Sequence, residues 1–357
     1  MSTTLSHVII MKLVISVLFS LLFSIFTLCS AASTSTKVAQ HPDVTNKTVV
    51  HSLAELAANA YHKHSNSTAW RNETLLWRYI DSYGWDIDGL RGHVFEHVED
   101  KIITISVKGT SLNSGKDKES ANLICSCNCC YSNCTTTACD KDKLLQSLPN
   151  MYLTLLLIAY EDIVQVYPEH SVWFTGHSMG AVIAALGGVR TCNPAIGFSS
   201  PGEQMFADRI ELKHQCPDKK TLSPVYHIGY YRDPIFVGNC GWLCSIAGYR
   251  MDSKCHHGRE CVYKDSTDED DDDGEEDGEE DDDSIGEETF GSGLIYTHTA
   301  NFLIDKVIKP ADKVPVCSPA VNCTERCKED DNDENDDGDD NEVQEVEQET
   351  VLLTLQM

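Results

Sequence analysis

Residues 171–189 read SVWFTGHSMGAVIAALGGV. The first five are a short apolar run typical of a buried strand, and the last nine are small, apolar residues typical of a packed helix. Between them, Gly176-His-Ser-Met-Gly180 places a serine on a sharp strand-to-helix turn, where the two glycines remove Cβ atoms that would collide. This arrangement predicts an α/β sheet that carries Ser178 at a strand end.

Ser178 is the predicted nucleophile. A serine hydroxyl reacts slowly unless a base takes its proton, and a serine on such a turn is within reach of a histidine. The N–H of Met179 opens the next helix, so it is the predicted first donor to an oxyanion. The alternative is a glycine-rich turn without chemistry, but the strand before it and the helix after it favour a nucleophile.

Asp233 and His298 are the predicted partners of this serine. Serine hydrolases built on this turn have the chain order Ser, Asp or Glu, then His. Asp233 follows a predicted strand and precedes Pro234, although an Asp-Pro turn without catalytic role is the alternative. His298 stands at the start of a predicted amphipathic helix. His256, in a cysteine-bounded loop, is the competing base.

Further strands and helices alternate along the chain, which predicts an α/β sheet with helices on both faces. The loop after an early strand, Lys108-Gly-Thr-Ser111, is expected to supply a second oxyanion donor through Thr110. The predicted strands are 102–108, 171–175, 195–198 and 225–228, and the predicted helices lie within 144–167, 181–189 and 296–308.

The N-terminus predicts entry into the secretory pathway. A short segment, 1–12, precedes a charge-free apolar stretch, 13–32. Twenty residues of helix span about 30 Å, enough to cross a bilayer. Ser30-Ala-Ala32 also resembles a signal-peptide cleavage site, so an uncleaved anchor and a cleaved signal both remain open. We expect sequons to be glycosylated at Asn46, Asn66, Asn72, Asn133 and Asn322.

Fifteen of the 16 cysteines follow the apolar stretch and would face an oxidising lumen. Six of them lie within 125–139. Disulfides are favoured over zinc there because the compartment is oxidising and zinc sites prefer paired C-x₂-C ligands at separated positions. Other candidate bridges are Cys192–Cys216, Cys255–Cys261 and a small knot of Cys317, Cys323 and Cys327. An odd number leaves at least one thiol without an intrachain partner. No metal and no organic cofactor is expected.

The formal charge of −28 comes from two acidic runs. Residues 265–288 and 325–349 hold 17 and 14 acidic residues, which leaves 25 acidic and 26 basic residues elsewhere. The sequence has no cluster of Lys and Arg of the kind that binds the phosphates of a nucleic acid, so nucleic acid is excluded as a partner. The resulting organisation is a flexible stalk over 33–69, a catalytic domain over 70–312 with an acidic insert at 265–288, and an acidic tail over 313–357.

Several of these motifs together resemble the class 3 lipases, and among them the autophagy-related vacuolar phospholipases of fungi. The resemblance rests on the following motifs: Lys108-Gly-Thr-Ser111, the cysteines of 125–130, Trp173-Phe-Thr-Gly-His-Ser178, Ser200-Pro-Gly-Glu203, Arg232-Asp-Pro-Ile-Phe236, Ala247-Gly-Tyr249 and Cys255-His-His-Gly-Arg-Glu-Cys261. That family usually has Leu-Gly-Gly after the serine, whereas this chain has Met179-Gly180-Ala181. The added methyl of Ala181 is expected to tighten the packing of helix on strand.

The resemblance implies an α/β-hydrolase fold with Ser178, Asp233 and His298 as triad. It also implies an N-terminal anchor of type II topology with a lumenal catalytic domain, which travels through endosomes and multivesicular bodies to the vacuole; secretion is the alternative. Its substrates would be phospholipid or triacylglycerol esters of delivered membranes.

Two rival functions stay open. One is a lumenal α/β-hydrolase homologue that binds lipid or protein without turnover, since a fold does not guarantee its chemistry. The other is a hydrolase of a different class, a peptidase or a carbohydrate esterase. The sequence predicts no oligomeric state.

Overall fold

A computed structural model of the chain describes residues 40–86, 89–110, 115–125, 152–212, 216, 224–240, 244, 254–265 and 296–320. All of these residues belong to one compact unit. The predicted apolar stretch 13–32, most of the 125–139 cysteine cluster, most of the acidic insert, nearly all of the acidic tail, Asn133 and Asn322 lie outside the described residues.

Within these ranges, eight strands form one mixed sheet whose spatial order follows the chain order. The central strands, β3 to β7, run parallel to one another, and the strands at both edges pair antiparallel. This confirms the predicted α/β class with a mostly parallel sheet. The strands are β1 (Trp77–Tyr83), β2 (Gly92–His97), β3 (Ile102–Val107), β4 (Ser171–His177), β5 (Ala195–Phe198), β6 (Val225–Tyr230), β7 (Arg259–Tyr263) and β8 (Ser318–Pro319).

Helices cover both faces of this sheet. Successive strand residues point to opposite faces: Phe174 packs in one core, and its neighbour Trp173 packs in the other. In the part of the chain that the structure describes, the helices are α1 (Lys47–Asn59), α2 (Gly115–Cys125), α3 (Tyr152–Val166), α4 (Met179–Thr191), α5 (Gln204–Arg209) and α6 (Ala300–Phe302), which continues as a π-helical segment (Leu303–Ile308). Helices α2 to α5 supply the first core, and α1 with the π-helical segment supplies the second.

Helix α1 corrects the predicted stalk over 33–69. Asn46 accepts a hydrogen bond from the N–H of Thr48 and so caps this helix, and the side chains of Leu53 and Leu56 are buried in the second core. Strand β8 likewise lies beyond residue 312. The folded domain therefore extends on both sides of the predicted range 70–312.

The disulfides confirm one predicted pairing and overturn two. Cys192 is bonded to Cys216 as predicted. Cys261, however, is bonded to Cys317 and not to Cys255. The antiparallel register of β7 and β8, with Glu260 opposite Ser318, brings Cys317 beside Cys261. The predicted part of Cys317 in a knot with Cys323 and Cys327 is therefore wrong, and these two cysteines lie outside the described residues. A further bridge joins Cys240 to Cys244.

Three sequon asparagines, Asn46, Asn66 and Asn72, are exposed, so their glycosylation remains a prediction compatible with the fold. Within the described ranges, which begin after the N-terminal apolar stretch, no helix has the length and apolarity needed to cross a bilayer.

Candidate active site

The turn between β4 and α4 holds Ser178 in a strained conformation, with φ 58° and ψ −130°. Such a backbone costs about 1–3 kcal/mol and persists only where its surroundings impose it. A Cβ on Gly176 would lie 2.4 Å from the backbone of Gly180, and a Cβ on Gly180 would lie 2.3 Å from the carbonyl oxygen of Val107. Both glycines are therefore required by close backbone packing, as the sequence predicts.

The structure brings Ser178, His298 and Asp233 together. The Oγ of Ser178 lies 2.9 Å from Nε2 of His298. The Nδ1 of the same ring lies 2.9 and 3.0 Å from the two carboxylate oxygens of Asp233. His298 sits immediately before Thr299, which caps α6, and the hydroxyl of Thr297 donates to the carbonyl of Arg232. This last bond ties the histidine segment to the turn that carries the aspartate.

Asp233 is completely buried in the turn after β6. The backbone N–H groups of Ile235 and Phe236 donate to its Oδ1, at 3.0 and 3.3 Å. Burial by itself raises the pKa of Asp233, but the charge and hydrogen bond of His298 and the N–H of Phe236 outweigh it and lower that pKa. Asp233 is therefore a carboxylate at neutral pH, able to orient and stabilise an imidazolium.

Ser178 does not lie on open surface. Ser178 is 5% exposed, and the side chain of His298 is 12% exposed. Of the three groups, His298 is therefore the most exposed, and Asp233 is fully enclosed.

Both predicted oxyanion donors lie beside the serine turn. Met179 is the first residue of α4, where the N–H has no acceptor within the helix and the helix dipole favours negative charge. The strand end before Thr110 touches the same turn, because a Cβ on Gly180 would lie 2.9 Å from the N atom of Gly109. Among the described residues, the buried hydroxyl of Thr110 has no hydrogen-bond partner.

His177, the second residue of the motif, has a role that sequence reasoning missed. Its Nε2 lies 2.7 Å from the backbone oxygen of His298, and its Nδ1 lies 2.8 Å from the hydroxyl of Tyr61. Burial and the nearby His298 lower the pKa of His177 to about 3. The ring is therefore neutral and adds no second charge beside the proposed base. Its place within the motif was a usable signal, whereas nothing in the sequence pointed to Tyr61.

Ala181, which stands in place of the second glycine of the Leu-Gly-Gly pattern, faces a glycine on the neighbouring strand. A Cβ on Gly197 of β5 would lie 2.9 Å from the Cβ of Ala181. The predicted tightening of helix on strand is thus accommodated because β5 has a glycine at the point of contact.

Both ring nitrogens of His256, the competing base, contact groups other than the serine hydroxyl. Its Nδ1 contacts a carboxylate oxygen of Glu260 at 2.9 Å, and its Nε2 contacts the carbonyl of Ser200 at 2.8 Å. Its ligand atom lies within 4.8 Å of those of Glu203 and His227 in a buried group with metal-binding residue types. Because both ring nitrogens already face oxygen acceptors, His256 has no nitrogen left for an ion.

In a second such group, His51, Glu55 and Glu73, the two carboxylates are engaged by protein contacts. The carboxylate of Glu55 accepts hydrogen bonds from the backbone N–H groups of Glu73 and Thr74 and from the Thr74 hydroxyl. The carboxylate therefore serves to fix the turn before β1.

Comparison with known proteins finds similarity to proteins that are named lipases. The family model described as "Lipase (class 3)" matches residues 125–193, which include the serine turn. The protein named "Putative lipase ATG15" from Vanderwaltozyma polyspora is 33% identical over 314 residues, covering 79% of this chain and 52% of the relative. Its counterpart of the same name in Saccharomyces cerevisiae (strain S288c) is 32% identical over 313 residues, covering 79% and 56%. The chain thus spans about half the length of these curated relatives.

Solved structures of fungal lipases are more distant. A triacylglycerol lipase from Penicillium expansum matches with 13% identity and a TM-score of 0.38, covering 63% of this chain and 82% of that one. The Lip2 lipase of Yarrowia lipolytica matches with 16% identity and a TM-score of 0.35, covering 60% and 77%.

Proposed function

We propose that this chain, which belongs to the class 3 lipase family, hydrolyses ester bonds of triacylglycerols or phospholipids. The observation that carries the proposal is the continuous contact from Ser178 Oγ through His298 to the Asp233 carboxylate, with each step between 2.9 and 3.0 Å. These distances match the hydrogen-bond reach that a nucleophile and its base require.

The proposed reaction has two halves. Ser178 Oγ attacks the ester carbonyl carbon while Nε2 of His298 takes its proton, and the same proton then goes to the departing alcohol oxygen. Water repeats the sequence on the acyl-enzyme and releases the fatty acid. Asp233 holds the His298 ring with Nδ1 protonated and stabilises its charged form.

Two donors are proposed to hold the oxyanion formed in each half: the N–H of Met179 and the N–H and hydroxyl of Thr110. Their position at the start of α4 and beside the serine turn supports this role. A preorganised donor of this kind contributes about 3 kcal/mol to transition-state stabilisation.

We propose that the protein works in the lumen of the secretory and vacuolar system, on membranes of autophagic and multivesicular bodies delivered to the vacuole. The N-terminal apolar stretch and the five sequons support a lumenal chain, as do the disulfides Cys192–Cys216, Cys240–Cys244 and Cys261–Cys317. The resemblance to the autophagy-related lipases supports the proposal that these membranes are the substrate.

The test is release of fatty acid from phosphatidylcholine vesicles and from triolein emulsion by the purified full chain. Wild type is compared with Ser178→Ala, Asp233→Asn and His298→Ala. His64→Ala, at an exposed histidine outside the site, is the matched control. We expect release by wild type and His64→Ala and a loss of at least about 10³-fold in the other three.

A folded wild type that releases no fatty acid from either lipid contradicts the proposal. If it also fails to react with a fluorophosphonate, the non-catalytic binding protein becomes the better account. If it reacts but cleaves only peptide or sugar esters, the hydrolase belongs to another substrate class.

A further inference from the structure

Lys108 is a buried lysine at the end of β3, one residue before the loop that carries Thr110. It is only 6% exposed. Its Nζ donates to the carbonyl oxygen of Gly109 at 2.8 Å and contacts a carboxylate oxygen of Asp117 at 3.1 Å. The other oxygen of Asp117 accepts from the hydroxyl of Tyr152 at 2.7 Å. A buried lysine needs such partners, because an unpaired charge there is costly.

The contact with Gly109 fixes the orientation of a peptide unit. In a planar trans peptide, the C=O of one residue and the N–H of the next point in opposite directions. The described peptide bonds are trans. When the ammonium of Lys108 holds the Gly109 carbonyl on its own side, the N–H of Thr110 is therefore directed to the other side.

Gly109, the residue at which this peptide unit begins, lies directly beside the serine turn. A Cβ on Gly109 would lie 2.4 Å from the carbonyl oxygen of His177, and a Cβ on Gly180 would lie 2.9 Å from the backbone carbon of Lys108. A rotation that exchanged the Gly109 C=O and the Thr110 N–H would present a carbonyl oxygen where a donor is needed. An oxyanion would then meet repulsion in place of a hydrogen bond.

We propose that Lys108 is a positioning residue that holds the Gly109–Thr110 peptide with its N–H available to the oxyanion, while Asp117 and Tyr152 hold Lys108. The inference rests on the proposed function and adds a residue that does not touch substrate. It predicts that losing the ammonium slows the chemical step and leaves binding of the ground-state ester nearly intact.

The test compares Lys108→Met with the double variant Lys108→Met/Asp117→Asn, which also removes the carboxylate charge that faces Lys108. Lys101→Met, at an exposed lysine just before β3, is the matched control. The readouts are kcat and KM for p-nitrophenyl butyrate and Ki for decyl trifluoromethyl ketone. This ketone forms a bond from its carbonyl carbon to Ser178 Oγ, its oxygen becomes an oxyanion, and the serine proton moves to His298.

We expect the double variant to lose about 10- to 100-fold in kcat, part of the loss reported for deleting an oxyanion donor. KM should stay within about twofold, and Ki should rise in parallel with the fall in kcat/KM. Lys101→Met should match wild type. The proposal is overturned if the folded double variant keeps wild-type kcat and Ki, if KM alone changes, or if neither Lys108 variant folds, since Lys108 would then serve folding. Inactive wild type would instead contradict the proposed function.

Discussion

The side chain of His177 is hydrogen-bonded to the backbone of His298, with 2.7 Å between Nε2 and the carbonyl oxygen. A carbonyl can only accept, so Nε2 carries the proton and Nδ1 accepts from the hydroxyl of Tyr61. The residue next to the proposed nucleophile thus holds the main chain of the proposed base. This contact joins two segments 121 residues apart in the sequence.

Removing this contact should slow the reaction without unfolding the protein. We predict that His177→Ala lowers kcat for a soluble ester by about 10-fold or more, because a small misplacement of a catalytic group is costly. His177→Gln, whose amide can donate to the same carbonyl, should retain more activity. The measurement is kcat and KM for each variant, with the melting temperature as the check that the variant is as stable as wild type. Equal activity of His177→Ala and wild type would contradict the role of His177 in holding His298.

The contact of Ala181 with Gly197 predicts a coupled pair. Gly197→Ala should lower the free energy of unfolding by about 1–3 kcal/mol, because its Cβ would lie 2.9 Å from the Cβ of Ala181. Ala181→Gly alone should cost about 1 kcal/mol through helix propensity. The double variant should cost less than the sum, as measured by urea unfolding. If the two single changes in the free energy of unfolding simply add in the double variant, the two positions are not coupled, which would contradict this prediction.

Much of this site was predictable from the sequence because its signals are local. The turn, the bounds of β5 and the start of β4 follow from apolar runs that are interrupted by glycine or proline. Asp233 and His298 followed from chain order. In contrast, the contacts of Tyr61 and Lys108 depend on tertiary packing, and no local pattern reports where a side chain ends after folding.

The wrong predictions about helix α1 and the disulfides also arose because tertiary packing leaves no local pattern in the sequence. Helix α1 was expected to be stalk because its neighbourhood is small, polar and rich in sequons, yet its apolar side chains Val50, Leu53 and Leu56 are buried by the sheet. The pairing Cys255–Cys261 rested on proximity along the chain. Strand pairing of β7 with β8 instead placed Cys317 beside Cys261.

Asp233 predicts a pH dependence of stability. Its pKa in the folded chain lies below the ordinary value of 3.8, so its ionised form stabilises the fold above that pH, and the contribution is lost as the pH falls through the folded pKa. Asp233→Asn should therefore be less stable than wild type at pH 6, with a difference that shrinks below about pH 4. Urea unfolding across this range measures it; a difference independent of pH would contradict the assignment.

The Cys261–Cys317 disulfide encloses the segment that carries His298, with a sequence separation of 56. Chain-entropy arguments give about 4 kcal/mol for a loop of this length. The variant Cys261→Ser/Cys317→Ser should thus lose more stability than Cys240→Ser/Cys244→Ser, whose separation is 4 and whose predicted loss is about 2 kcal/mol. Thermal melting of both variants tests this order of stability losses. A larger loss of stability in Cys240→Ser/Cys244→Ser than in Cys261→Ser/Cys317→Ser would contradict it.

The most direct test of the central claim is intact-mass and peptide analysis of the protein after reaction with a fluorophosphonate. Wild type should gain one phosphonyl group on the peptide that contains Ser178, His298→Ala should react far more slowly, and Ser178→Ala should gain none. Modification of Ser178→Ala to the same extent as wild type, or an undiminished rate in folded His298→Ala, would contradict the account.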